Sequence, residues 1–377
     1  MAKLGKIKWK HYINYIAIAI VTIVFGAMSF ANLLPSSTVY LLEKIAISII
    51  LAVSLSMVVG FLGELSLGHA GFMCVGAYLG GKVSCLLEPV FGNGLITLII
   101  SILVGGLIAA ACGIIIGLPA LRLKGDYLAI VTLAFGEIVR SIFMNSGEES
   151  FGGSLGLSTP RYDKSVLFIF AFVLVLGCLA VVQNLIRSKH GRAITSIRDN
   201  EIAAHATGIN VTKYKLSVFT ISSLFAGIAG VLYSFSNFRV QSTNFDYNYS
   251  IEILVMVVLG GMGSINGSIV AATLITYLDT TLQTVLTGNL AVLQDLFYAL
   301  ILIILVVYNN APALSAFRAT HNLSVFFEKL RKHDPAHRRD DEAKWDRVPT
   351  KIEMNEILSV DIQSTSSTVD PDKKEGK

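Results

Sequence analysis

Residues 187–210 read Arg187-Ser-Lys-His-Gly191-Arg192-Ala-Ile-Thr-Ser-Ile-Arg198-Asp-Asn200-Glu201-Ile-Ala203-Ala204-His-Ala-Thr-Gly208-Ile-Asn, and they stand between two apolar runs, 164–186 and 215–237. Either run is long enough to cross a hydrocarbon core, which takes about 20 apolar residues. A turn lying in water needs only a few residues, because water satisfies its backbone polar groups. The island 187–214 is far longer than such a turn and keeps a helical pattern with small side chains. It reads as a docking element between two membrane helices, on the cytoplasmic side.

Outward from this island the chain stays apolar. Of 377 residues, 53% are hydrophobic and 15% charged, and the mean hydropathy is +0.65. These values exclude an ordinary soluble domain and specify an all-α polytopic membrane protein. Counting apolar runs predicts about ten transmembrane helices, near 12–34, 38–60, 66–87, 94–118, 127–145, 164–186, 215–237, 250–262, 267–285 and 293–310. The eighth is short and interrupted by glycine. Residues 1–11 form a basic cytoplasmic N-terminus, 12–310 the membrane domain, and 311–377 a cytoplasmic polar tail, partly disordered.

Orientation follows from the loop lysines and arginines. Lys3, Lys6, Lys8 and Lys10 precede the first span, Arg122 and Lys124 follow the fourth, and Arg187, Lys189, Arg192 and Arg198 follow the sixth. Ten spans with both termini in the cytoplasm place all three groups inside and the Gly-rich loop 146–163 outside. The first apolar run is too long for a secretory signal and is expected to remain as a span. Twelve basic and twelve acidic residues cancel in the tail, so the net charge of +4 belongs to the membrane part. That excess is modest, and no nucleic-acid partner is expected. Phe317, Leu323, Phe326, Phe327 and Leu330, beside Lys329, Arg331 and Lys332, could line a helix at the lipid interface.

Catalysis finds no residues to carry it. Gly76-Ala-Tyr-Leu-Gly80-Gly81-Lys82-Val83 nearly matches a phosphate-binding loop, but Val83 stands where a hydroxyl would hold magnesium, and no strand precedes it. Cys74, Cys85, Cys112 and Cys178 sit in apolar runs without metal-ligand spacing. No metal site, catalytic residue or bound cofactor is expected, and ATP, if used, must be hydrolysed by a separate polypeptide.

Most glycines suit close helix packing. Two clusters differ because they interrupt spans: Gly60-Phe-Leu-Gly63-Glu64-Leu-Ser66-Leu-Gly68-His69-Ala-Gly71-Phe72, and Gly260-Gly261-Met-Gly263-Ser264-Ile-Asn-Gly267-Ser268. Broken helices in transporters turn backbone dipoles toward a ligand. Ser66, Gly68, His69, Phe72, Gly260, Gly261, Gly263 and Ser264 are therefore candidates for the wall or gate of a translocation path; plain cytoplasmic turns are the other reading. Among ionisable residues near the spans, Glu137 and Arg140 fall on one helix face and can pair. Glu43, Lys44, Glu252 and Asp279 fit positions near helix ends, and His69 fits a hydrogen-bonded packing role.

Segments 63–78, 121–140, 191–209 and 254–266, in that order, resemble the branched-chain amino-acid ABC permeases, the LivM-type subunit in particular. The resemblance runs over about 40–310; urea and short-amide permeases share the pattern. It implies a permease subunit of an importer in the cytoplasmic membrane of a prokaryote. Its partners would be a second permease subunit, two cytosolic P-loop ATPase subunits and an extracytoplasmic amino-acid-binding protein. Gly191, Arg192, Arg198, Asn200, Glu201, Ala203, Ala204 and Gly208 then fall in the ATPase-coupling loop, with Arg198 and Glu201 offering ion pairs at its rim. A path of Gly, Ser, Thr and aliphatic side chains would suit Leu, Ile or Val, with no fixed charge to trap the zwitterion. An ion-coupled secondary transporter is the competing class, and it calls for paired carboxylates in the spans, which the sequence lacks.

Overall fold

The computed structural model describes residues 13–285, apart from 32, 93, 122 and 124, together with 299, 300, 303 and 307. The basic residues 3–10, Arg122, Lys124, most of the expected tenth span and the tail lie outside the described residues. Among the described residues twelve α-helices follow in order: α1 Ile13–Phe30, α2 Ser36–Ser56, α3 His69–Phe91, α4 Leu95–Ala120, α5 Asp126–Met144, α6 Glu148–Phe151, α7 Lys164–Arg187, α8 Lys189–Asp199, α9 Glu201–Ala206, α10 Val211–Asn237, α11 Tyr247–Gly260 and α12 Ile265–Val285. A wider π-turn over Met57–Leu62 prolongs α2, and two-residue strands β1 (Leu157–Ser158) and β2 (Arg239–Val240) pair antiparallel.

Among the described residues, six helices are long and apolar enough to cross a membrane: α2 with its π-turn, α3, α4, α5, α7 and α10. The expectation of ten spans thus reduces here to a helical membrane protein with six candidate spans. The expected eighth span is the 14-residue α11, which at 1.5 Å per residue falls short of a bilayer.

Helices α3, α4 and α10 cross in close contact at the centre, and small residues make that possible. A methyl group on Gly76 would strike the backbone of Gly227, and one on Gly230 the carbonyl of Met73. Without a hydrophobic force between helices in lipid, such backbone-to-backbone contact supplies the packing energy. The near-miss phosphate loop is therefore helix-crossing surface. Gly76→Val is expected to cost about 1–3 kcal/mol or more, since a backbone cannot move aside as a side chain can. The check is a thermal ramp of the detergent-solubilised chain read by size-exclusion chromatography, with Gly177→Val as control, because a side chain at Gly177 meets open space.

Two helices begin inside the bundle. After the π-turn, Gly63 at φ +79° reverses the chain, and residues 63–68 run without helix until α3 opens at His69. His69 is level with Ser54 of α2, about two turns before the π-turn ends at Leu62; its Nε2 lies 2.8 Å from Ser54 Oγ. Likewise α11 opens beside the middle of α5, where Tyr247 N–H donates to Glu137 Oε1 at 3.2 Å. Backbone freed at such depth must find partners within the protein. Leu67 N–H donates to Thr132 Oγ1 (3.0 Å), and Ala70 N–H to Ser250 Oγ (3.1 Å).

At the end of the bundle away from α8 and α9, the loops 145–163 and 238–246 are tied together. Leu157 pairs with Val240 and Ser158 with Arg239. Thr159 donates through N–H to Phe238 O and through Oγ1 to Ser234 O. Tyr162 packs beneath, 2.7 Å from Ser84 Oγ, and burial pushes its phenol above the usual range.

Candidate functional site

The polar island folds because each of its helices carries its own N-cap. Ser188 Oγ accepts from His190 and Gly191 N–H at the start of α8. Asn200 Oδ1 accepts from Ala203 N–H (3.0 Å) at the start of α9. Asn210 Oδ1 accepts from Lys213 N–H (3.0 Å) at the start of α10. Such caps contribute about 1 kcal/mol each and stop one long helix from forming. Gly208, at φ +85°, closes α9 and has open space around it.

Helix α8 buries Gly191, Ile194 and Ile197 and exposes Arg192. Gly191 touches the backbone of Ile186 so closely that no side chain fits. In α9 only Ala204 is buried; Ala203, His205 and Ala206 face outward, and Ile202 is 78% exposed. A groove of about 440 Å³ runs beside this face, bounded by Leu121, Ile202, His205, Ala206 and Val211.

Beneath the element both glycine-rich breaks converge on one arginine. Arg198 Nη1 donates to Gly60 O at 3.1 Å, while its Nε and Nη2 hold Asp199 Oδ1 at 3.1 and 3.0 Å. A Cβ on Gly63 would lie 2.6 Å from Arg198 Cγ, one on Gly263 3.7 Å from its Nη1, and one on Gly60 would strike the backbone of Gly263. The turn at the end of α2 and the turn between α11 and α12 therefore meet under α8.

A second fastening lies alongside. Lys215, one turn into α10, has a side chain 3% exposed; its Nζ lies 2.5 Å from Glu64 Oε1 and 3.4 Å from Glu201 Oε1. It joins the α2–α3 break, α9 and α10. Arg198 and Glu201, expected at a rim, thus both engage groups of their own chain.

The other predicted residues separate into two places. Gly260 presses against Gly267, Gly261 and Gly263 have φ +90° and +83°, and Ser264 Oγ accepts from Gly267 N–H to start α12. These belong with Arg198. Ser66, His69 and Phe72 are each 2% exposed and lie with Gly68 between α2, α5 and α10. Gly68 abuts the Thr132 carbonyl, and Phe72 packs on Phe135 and Phe219 with ring centroids 4.8 and 5.5 Å away. Glu137 holds Arg140 at 2.8 Å, as its spacing predicts, and Lys44 meets Asp279 at 2.9 Å. Sequence reasoning missed Lys215. The signal was its register: Val211, Lys215, Val218 and Ser222 fall on one helix stripe, and all four are buried.

A family model described as the branched-chain amino acid transport system / permease component matches residues 37–307. The chain belongs to that family. Similar proteins include the high-affinity branched-chain amino acid transport system permease protein LivM of Escherichia coli (strain K12), 36% identical over 68% of this chain. The LivM of Salmonella typhimurium is 39% identical over 61% of it. The chain spans 66% and 60% of the length of these two curated relatives. A probable LivM of Methanocaldococcus jannaschii is 29% identical, over 58% of this chain and 73% of its own. No solved structure matches. In this permease family member the matched stretch contains the whole α8–α9 element, both breaks, and every residue placed in the site above.

Proposed function

We propose that the chain is the membrane-embedded permease subunit of an ATP-driven importer for branched-chain, small apolar amino acids in a prokaryotic cytoplasmic membrane. It would cross about ten times with both termini inside. Beside it would stand a second permease subunit, two cytosolic ATPase subunits and an extracytoplasmic binding protein. The observation that carries this reading is the α8–α9 element: an outward apolar face backed by Arg198 and Lys215, which fasten it to both glycine-rich breaks.

In this reading an ATPase subunit grips α9, and closure of the ATPase pair displaces α8 and α9. Arg198 passes that displacement to the turns at Gly60 and Gly263, and Lys215 passes it to Glu64. The helices that start inside the bundle, α3 and α11, then shift and switch access between the two sides. The linked loops 145–163 and 238–246 offer the outer surface on which a binding protein would rest.

The test is affinity purification of the tagged chain from its native membrane in mild detergent, with mass spectrometry of what accompanies it. A P-loop ATPase and a second hydrophobic permease at similar abundance are expected, together with uptake of labelled leucine that competes poorly with urea or acetamide. A chain that comes alone from several detergents, with uptake driven by an ion gradient, would overturn the proposal.

A further inference from the structure

At the end of the bundle opposite α8 and α9, the first turns of α2 and α7 and the last turn of α10 enclose a cavity of about 290 Å³. Glu43 lies in its wall, 4% exposed. Glu43 Oε2 accepts from Ser236 Oγ at 2.6 Å, whereas Oε1 has no hydrogen-bond partner among the described residues. An acceptor left bare in a buried place is costly, and native proteins rarely tolerate one. Neighbouring hydroxyls are already engaged: Tyr40 donates to Asn237 Oδ1, and Tyr162 pairs with Ser84. Lys44, the next residue along, faces away toward Asp279, as the rotation of about 100° per helical residue requires.

The same cavity is lined by Lys164, exposed at the first position of α7, and by the apolar groups of Leu167 and Phe238. A carboxylate with one unused oxygen in the wall, one cation on an exposed side chain and apolar groups between them define a ligand with a matching layout: an ammonium group, a carboxylate and a hydrocarbon side chain. A carboxylate and an ammonium each bind their opposite through charge-assisted hydrogen bonds, about twice as strong as neutral ones. We infer that this cavity is an entry site for an α-amino acid, with the Glu43 carboxylate turning about its last side-chain bond so that Oε1, closed off in this structure, accepts from the ammonium, and with Lys164 holding the carboxylate. The inference rests on the importer reading and deepens it, because it puts a fixed charge pair where a path of neutral residues was expected.

The experiment uses the full chain in lipid nanodiscs and saturation-transfer NMR with three probes: L-leucine, 4-methylpentanoate, which lacks the ammonium, and 3-methylbutylamine, which lacks the carboxylate. Leucine is expected to bind saturably and both analogues at least about tenfold more weakly, as loss of one charged hydrogen bond implies. Glu43→Gln should weaken leucine by a similar factor. Lys164→Gln should weaken leucine while leaving 3-methylbutylamine unchanged. If Glu43→Gln fails to fold, the analogue series on the natural chain and Lys164→Gln still decide. No saturable binding of leucine, equal binding of leucine and either analogue, or leucine binding untouched by Glu43→Gln overturns the site. Failure here with leucine uptake and ATPase co-purification intact removes only the entry site; leucine binding without uptake or partners removes the importer reading instead.

Discussion

Lys215→Met is expected to destabilise the chain by about 3–5 kcal/mol, because it strands the buried Glu64 carboxylate without its counter-charge. Lys215 has a side chain 3% exposed and Glu64 one 12% exposed, so water can do little to replace the lost partner. Breaking a buried pair from one side costs far more than removing both members. The double variant Lys215→Met/Glu64→Gln should therefore recover most of the loss, and the double-mutant cycle should return a coupling of at least about 1.5 kcal/mol. Denaturation in mixed micelles, followed by helical circular dichroism, measures all three variants. Additive losses in the double variant would mean that Lys215 and Glu64 act independently and that the second fastening does not exist.

Gly208→Trp should abolish uptake, lowering it at least about a hundredfold, while leaving the chain inserted and folded. The site has open space around it, so indole displaces nothing inside the molecule. Positive φ costs a non-glycine residue about 1–2 kcal/mol, which local adjustment at the end of a six-residue helix can absorb. The bulk instead projects into open space at the end of α9, beside the surface where, on the proposed reading, an ATPase would seat. Gly208→Ala separates strain from bulk: it bears the same backbone penalty and should keep most uptake. Normal uptake by the tryptophan variant, with expression and thermal stability matched to the natural chain, would refute the coupling role of α9.

The sequence made the helical spans legible because apolar runs near 20 residues have few other fates. Runs such as 38–60, 94–118, 127–145 and 164–186 start within three residues of α2, α4, α5 and α7. That 187–214 is more than a turn was legible too, from its length and helical pattern, and α8 and α9 occupy it. What stayed hidden is pairing across long separations. Gly60 and Gly263 each announce a break, but nothing local says that the two breaks touch or that Arg198 fills the space beside them. The apolar run 215–237 starts at Lys215; the structure shows that α10 has already begun at Val211 and that the lysine points inward. Glu43 and Lys44 were adjacent charges near a helix end. Their opposite assignments, one to a cavity and one to Asp279, come from neighbours that a single sequence does not name.

The double fastening of α8 and α9 also fixes their mechanical freedom. A body held at one point can pivot in any direction. Held by Arg198 at Gly60 and by Lys215 through Glu201, and continuous with α7 and α10, this one should turn most easily about the line joining the two anchors. On the proposed coupling reading, a force applied at Ile202 in another direction would be carried into the helices behind it. On that reading the element would work as a crank, and the orientation of its axis, more than the grip on α9, would set which part of the bundle opens.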